Sequence, residues 1–89
     1  MVYILEDDDN IRKLIKYSLT SQGFDVQDFS LPSDFWKELE KNKPDLILLD
    51  IMLPEEDGIS ILKKLRFNHE TSAVPVIMLT AKDSEYDVV

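Results

Sequence analysis

The 89-residue sequence contains no cysteine, so it can form neither a disulfide framework nor a thiolate site. Its longest apolar runs have the length of a strand, and none resembles a signal peptide or a membrane span. A cytoplasmic location is therefore the default expectation, without membrane contact.

Positive charge is also scarce, with 10 basic residues against 18 acidic ones and a formal net charge of −8. This balance argues against nonspecific binding of nucleic acid or of an anionic membrane by this segment. An excess of carboxylates suits a divalent cation. For most of the acidic residues, however, solubility is the preferred interpretation.

Short apolar runs alternate with amphipathic stretches, a pattern typical of βαβ units and a parallel sheet. The predicted strands cover about residues 2–5, 24–29, 45–49 and 76–79. The predicted helices run from about residue 10 to 22, from near Pro32, and after Asp57-Gly58; residues 84–89 resemble the start of a fourth helix. We expect one small α/β domain over residues 1–89, with about 60–65% of its unfolded surface buried.

Acidic residues follow two of the predicted strands. Asp50 ends the apolar run at residues 46–49, and Glu6-Asp7-Asp8 follows the run at residues 2–5. Adjacent parallel strands would bring these carboxylates to one edge, where open α/β sheets place their ligands. The pattern predicts a site for metal and phosphate chemistry. The alternatives are an acidic cluster at a helix start and, for Asp50, a turn-initiating aspartate.

Four blocks of sequence give the chain a family resemblance. They are Glu6-Asp7-Asp8, the run from Pro44 to Asp50, Pro54-x-x-Asp57-Gly58, and the run from Val74 to Ala81. In this order and spacing, the chain resembles the receiver domain of a bacterial two-component response regulator over essentially its whole length. The sequence of these blocks most resembles that of receivers that carry a winged-helix DNA-binding output domain. The resemblance implies a flavodoxin-like, doubly wound parallel sheet.

The resemblance also implies a specific site. Asp50 would be the phosphoacceptor, and the Thr80 hydroxyl would act as a switch by donating to a phosphoryl oxygen. Mg²⁺, or Mn²⁺ in its place, would be held by Asp7 and Asp50. Glu6 would contribute directly or through water, and Met52 would contribute its backbone carbonyl oxygen.

The length departs from the family pattern, because complete receivers continue through a fourth helix, a fifth strand and a fifth helix. We therefore expect a truncated receiver with strand order 2-1-3-4, in which strand four is an unprotected edge. The family's phosphate-binding lysine lies at the end of the fifth strand, so Lys82 is expected only at the rim of the site or in solvent. We also expect a homodimer or larger assembly that buries the surface around helix one or strand four.

The resemblance implies a phosphoacceptor domain that receives a phosphoryl group from a sensor histidine kinase and controls an output domain. Such a domain catalyses at most its own phosphorylation and dephosphorylation, and is not a turnover enzyme. The output domain would be a DNA-binding one, and this segment would not itself contact nucleic acid. One alternative is a receiver fragment that acts as a structural or oligomerisation unit with little phosphorylation. A phosphatase-type α/β enzyme is disfavoured, because Asp50-Ile51-Met52 lacks the second aspartate of an Asp-x-Asp motif.

Overall fold

The computed structural model describes residues 1–79, which form four strands and three helices in strict alternation. The elements are β1 (Val2–Leu5), α1 (Asp9–Ser21), β2 (Val26–Phe29), α2 (Pro32–Lys41), β3 (Leu46–Asp50), α3 (Gly58–Phe67) and β4 (Val76–Leu79). The fourth helix predicted at residues 84–89 lies outside the described residues. Within residues 1–79, no helix combines the length and the apolarity needed to cross a membrane.

All strand pairs are parallel, and the strand order is β2-β1-β3-β4. This order and the doubly wound α/β class confirm the predicted fold. In the register, Leu5 lies opposite Leu49, and Asp50 lies opposite Leu79. The carboxyl ends of β1 and β3 therefore lie side by side.

The start of β2 differs from the prediction, and the end of α1 explains the difference. Gly23 has a φ of 97° and follows the helix, as expected for a terminating glycine. The Gly23 N–H donates to the Thr20 carbonyl at 3.0 Å, and the Phe24 N–H donates to the Leu19 carbonyl at 3.2 Å, which together form a Schellman motif. Because this motif uses Phe24, the strand begins two residues later, at Val26.

The two faces of the sheet are covered unequally. The face under α2 and α3, here the α2–α3 face, holds the larger cluster of buried apolar residues: Tyr3, Leu5, Phe35, Ile47, Leu49, Ile61 and Leu65. The opposite face, here the α1 face, holds a buried cluster of Val2, Ile4 and Leu48. The first cluster contains side chains from both helices and two strands, so it forms the main core.

The α1 face is partly open to solvent. Helix α1 contributes no buried residue, although Ile15 and Leu19 pack against the smaller cluster. The apolar periodicity of α1 predicts Leu14 on the same side of the helix as Ile15 and Leu19, but Leu14 is 65% exposed. The helix packs over β1 and β2, and the Leu14 side chain is left largely uncovered. On the same face Ile77 of β4 is 52% exposed.

Candidate metal centre at the carboxyl end of the sheet

Three carboxylates converge where β1 and β3 end. Glu6 follows β1, Asp50 is the last residue of β3, and the parallel pairing of these strands sets the two residues next to each other. One carboxylate oxygen from each of Glu6, Asp7 and Asp50 lies within 4.8 Å of the other two. Glu6 and Asp50 are each only 3% exposed, whereas Asp7 is exposed. The structure thus brings together the three carboxylates that the sequence placed at this edge.

The buried position of Glu6 perturbs its ionisation. Burial and the nearby Asp50 carboxylate raise the pKa of Glu6 to about 7, even though a hydrogen bond from the Asp8 N–H at 3.1 Å favours its charged form. Three carboxylates at this spacing repel one another when all are ionised. The cluster therefore favours either a bound proton or a bound cation.

The Asp50 carboxylate has one satisfied and one unsatisfied oxygen. Oδ1 accepts a hydrogen bond from the Ile51 N–H at 2.8 Å. Oδ2 is buried and has no hydrogen-bond partner among residues 1–79. A buried carboxylate oxygen without a partner is costly, and a bound cation would satisfy it. Oxygen donors at close range are what Mg²⁺ prefers, so the cluster fits a divalent cation.

The loop after β3 is held against the backbone of Asp50 by Gly58. The Gly58 N–H donates to the Ile51 carbonyl at 2.7 Å. A Cβ on Gly58 would lie 2.0 Å from the Asp50 carbonyl oxygen, which no side chain can tolerate. A glycine at this position is typical of a tight turn, and the structure shows that it also permits the close approach of two backbones. Asp57 caps α3 by accepting from the Ser60 N–H at 2.8 Å, as predicted.

The other predicted site residues have different positions. Met52 lies in the loop directly after Asp50, and its side chain is 64% exposed, so a contribution through its backbone remains the prediction. Thr80 and Lys82 lie outside the described residues. Asp8 is the N-cap of α1 and accepts from the N–H groups of Asn10 and Ile11, which confirms that part of the acidic cluster serves the helix start.

The role of Arg12 is not evident from the sequence. The amphipathic pattern of α1 predicts that Arg12 points away from the apolar side of the helix, but its side chain is only 12% exposed. Its guanidinium donates to the Glu6 carbonyl at 2.9 Å, to Asp28 at 3.0 Å and to Asp9 at 2.6 Å. Arg12 therefore fixes the backbone at which β1 turns into the site. The only sequence signal was a basic residue one turn into the helix that follows the acidic block.

Comparison with known proteins identifies the family of this arrangement. Residues 2–89 match the response regulator receiver domain. The chain belongs to this family. Solved receiver structures have the same fold: a putative response regulator from Chloroflexus aurantiacus superposes with a TM-score of 0.88 at 28% identity, covering 98% of this chain and 72% of that one. The N-terminal domain of a response regulator receiver protein from Methanoculleus marisnigri gives 0.85 at 30% identity, covering 91% and 66%.

Curated relatives of the receiver are larger transcriptional regulators. The alkaline phosphatase synthesis transcriptional regulatory protein PhoP of Bacillus subtilis is 42% identical over 88 residues, which are 99% of this chain and 36% of that protein. The transcriptional regulatory protein AfsQ1 of Streptomyces coelicolor is 42% identical over 86 residues, 97% of this chain and 37% of that protein. The receiver described here thus spans just over a third of the length of these relatives.

Proposed function

We propose that this receiver accepts a phosphoryl group on Asp50 from the phosphohistidine of a sensor histidine kinase. The observation that carries the proposal is the convergence of Glu6, Asp7 and Asp50, with one buried Asp50 oxygen unsatisfied among the described residues. A carboxylate at the end of a central strand, beside two further carboxylates, suits in-line attack on phosphorus assisted by a cation.

The proposed cofactor is Mg²⁺, with Mn²⁺ as the alternative ion. The Asp7 and Asp50 carboxylates would hold it, with Glu6 acting directly or through water and the Met52 carbonyl as a further oxygen donor. When bound, the ion would neutralise the charge that develops as two anions approach. The residues themselves set the position of the nucleophile, because the Ile51 N–H orients one Asp50 oxygen and leaves the other unengaged within residues 1–79.

The covalent step is a transfer between two protein side chains. A carboxylate oxygen of Asp50 forms a bond to phosphorus as the phosphorus–nitrogen bond of the phosphohistidine breaks, and the imidazole leaves and takes up a proton. The product is an acyl phosphate, which water can later hydrolyse. The Thr80 hydroxyl is proposed to donate to a phosphoryl oxygen and so to report the modified state.

The proposed consequence of phosphorylation is control of an output domain. The matched relatives are named as transcriptional regulatory proteins, which favours a DNA-binding output in the complete protein. With a net charge of −8, the receiver itself is not expected to contact nucleic acid.

Intact-mass measurement tests the proposal. The chain is incubated with Mg²⁺ and a small phosphodonor, and a gain of one phosphoryl group that hydroxylamine removes is the expected result. Asp50→Asn keeps the shape and removes the nucleophile, so it should show no gain, and chelation of the metal should abolish the gain in the unmodified chain. A gain that persists in Asp50→Asn would contradict the assignment of the phosphoacceptor. Metal binding without any gain would favour the alternative of a structural receiver fragment.

Metal binding is tested separately by titration with Mg²⁺. Asp7→Asn should weaken binding strongly because it removes a carboxylate from the cluster. The matched control is Asp25→Asn, which removes one exposed carboxylate just before β2, at the amino end of the sheet and outside the cluster. Equal Mg²⁺ affinities of the two variants would show that Asp7 is not part of the metal site.

A further inference from the structure

The loop between β3 and α3 is tied to α2 through Glu55. Helix α2 begins after Leu31, whose side chain cannot cap the helix. Glu55 supplies the missing acceptor from the loop: its Oε1 accepts from the Ser33 N–H at 2.9 Å, and its Oε2 accepts from the Ser33 hydroxyl at 3.3 Å. A carboxylate at a helix N-terminus also interacts favourably with the helix dipole. The loop thus completes the start of a helix that is distant in sequence.

The neighbouring carboxylate, Glu56, bridges α2 and α3. Its Oε1 accepts from the Trp36 indole N–H at 3.1 Å. Its Oε2 accepts from the Ser60 hydroxyl at 2.9 Å and pairs with the Lys64 ammonium at 2.5 Å. The Glu56 side chain is 16% exposed, so these contacts are partly shielded from water.

The hydrogen-bond and ion-pair partners of Glu56 together affect its pKa more strongly than its burial does. Desolvation acts to raise the pKa of Glu56, but the Lys64 ammonium and the Trp36 and Ser60 donors hold it below its ordinary value. Glu56 is therefore charged at neutral pH and keeps all three partners. Breaking this arrangement would leave a half-buried carboxylate and an indole N–H in need of water.

These contacts leave the loop little freedom. At one end, Gly58 packs against the Asp50 carbonyl and bonds to Ile51. In the middle, Glu55 has a φ of 66°, a conformation that a residue with a side chain adopts only when its surroundings hold it there. The two adjacent glutamates hold the loop from the α2 side. The backbone that leaves Asp50 is thereby connected to α2 by side-chain contacts.

The same contacts reach a groove between α2 and α3. This cavity of about 420 Å³ is lined in part by Trp36 and Lys64, which are two of the three partners of Glu56. Glu40 also lines the groove, but it has no hydrogen bond or ion pair to the loop among the described contacts. Because Trp36 and Lys64 contact Glu56, a movement of Glu56 would change the groove, and by linkage a molecule in the groove would bias the position of the loop.

We propose that Glu56 is a positioning residue of the receiver, which fixes the loop after Asp50 and couples the acidic site to the groove between α2 and α3. The inference rests on the proposed function, since it assigns a regulatory path to that same site. Glu55 supports the path by holding the loop at the start of α2.

The experiment uses Mg²⁺ as the probe and reads two signals, calorimetric affinity and the emission of Trp36, the single tryptophan of the chain. In the unmodified chain, Mg²⁺ should bind and change the emission. Glu56→Ala should weaken Mg²⁺ binding, because the loop after Asp50 loses its contacts to α2 and α3, and should abolish the emission change. Glu56→Gln keeps an acceptor for the indole and should retain the emission change. Glu40→Ala is the matched control and should behave like the unmodified chain.

A second readout separates this inference from the proposed function. If the unmodified chain does not bind Mg²⁺, the metal proposal fails, and the amide resonances of Ile51 and Gly58 in metal-free protein decide the inference. They should shift in Glu56→Ala and stay in place in Glu40→Ala. If Glu56→Ala does not fold, Lys64→Met, which breaks the ion pair alone, takes its place with the same expected direction. Unchanged resonances, or Mg²⁺ affinity and emission equal to those of Glu40→Ala, would overturn the inference.

Discussion

The two faces of the sheet differ in how much apolar surface they bury. On the α2–α3 face, the rings of Tyr3, Phe29, Phe35 and Trp36 pack edge to face, with centroids 5.2 to 6.1 Å apart. Such contacts stabilise a core beyond the area that they bury. On the α1 face, one amphipathic helix covers part of the sheet and buries none of its own residues. Most of the stability of the described residues must therefore come from the α2–α3 face.

The difference matters for the site, because the site lies where the two faces meet. The β1 side is fixed by Arg12, which reaches across from α1 to the Glu6 carbonyl. The β3 side is fixed by the loop that Glu55 and Glu56 hold against α2. The open face thus contributes polar contacts to the site, and the packed face contributes both packing and polar contacts.

The largest expected effect comes from truncating a ring on the packed face. Phe35→Ala removes a fully buried side chain that contacts three other aromatic rings, and it should lower the free energy of unfolding by about 3–5 kcal/mol. Leu14→Ala, on the open face, should change it by less than about 0.5 kcal/mol. Urea denaturation followed by circular dichroism measures both. Similar losses in the free energy of unfolding for the two variants would show that the two faces contribute equally to stability.

A smaller loss of stability is expected at the border between the faces. Gly58→Ala places a methyl group 2.0 Å from the Asp50 carbonyl oxygen, so the loop must move away from β3. We expect a loss of about 1–3 kcal/mol from this overpacking, together with weaker Mg²⁺ binding. Gly23→Ala is the control, since no atom lies within 4 Å of its added Cβ and only its φ of 97° is strained. Unchanged Mg²⁺ affinity in Gly58→Ala would show that Gly58 does not influence the metal site.

The alternation of elements and the convergence of carboxylates could be predicted from the sequence, because each follows from a short-range pattern. Apolar runs of strand length predict buried parallel strands, and their carboxyl ends must share an edge. This reasoning located Glu6, Asp7 and Asp50 without coordinates. The end of β2 and the caps at Asp8 and Asp57 also follow from local signals.

The contacts that hold the site could not be predicted, because they join residues that are distant in sequence. Glu56 and Trp36 are 20 residues apart, and Arg12 and Asp28 are 16 apart. A charged residue in a loop or on a helix is most often solvated, so the pattern alone gives no reason to pair them. The close approach of backbones at Gly58 could not be predicted for a related reason, because it leaves no periodic signal in the sequence.

The polar network of the open face should appear in the acid stability. Burial acts to raise the pKa of Asp28, but hydrogen bonds from Lys16 and Arg12 hold it below its ordinary value. Because the folded pKa lies below the unfolded one, the network stabilises fully above the unfolded pKa of about 3.9 and its contribution is lost as the pH falls through the folded pKa.

Asp28→Asn should remove that contribution, about 1 kcal/mol at pH 7, and should flatten the stability curve below pH 4. Thermal unfolding between pH 2.5 and 7 measures the change. The exposed Asp25→Asn serves as the control and should leave the curve in place. If the stability of Asp28→Asn depends on pH in the same way as that of the unmodified chain, the acid dependence comes from other carboxylates.

The smallest effect on stability is expected at β4, an edge strand of the described sheet. Ile77 is 52% exposed on the α1 face, so Ile77→Lys should change the free energy of unfolding by less than about 0.5 kcal/mol.

The exposed edge and the partly covered face nevertheless favour self-association, because both present groups that a second copy can pair with or bury. A lysine at this edge opposes such pairing, so Ile77→Lys should shift the chain toward monomer in sedimentation equilibrium. Phe67→Lys is the control: Phe67 is 92% exposed on α3, which packs on the opposite face of the sheet, and its replacement should leave the association unchanged. A concentration-independent monomer of the unmodified chain, or equal loss of association in both variants, would show that the open face is not used for assembly.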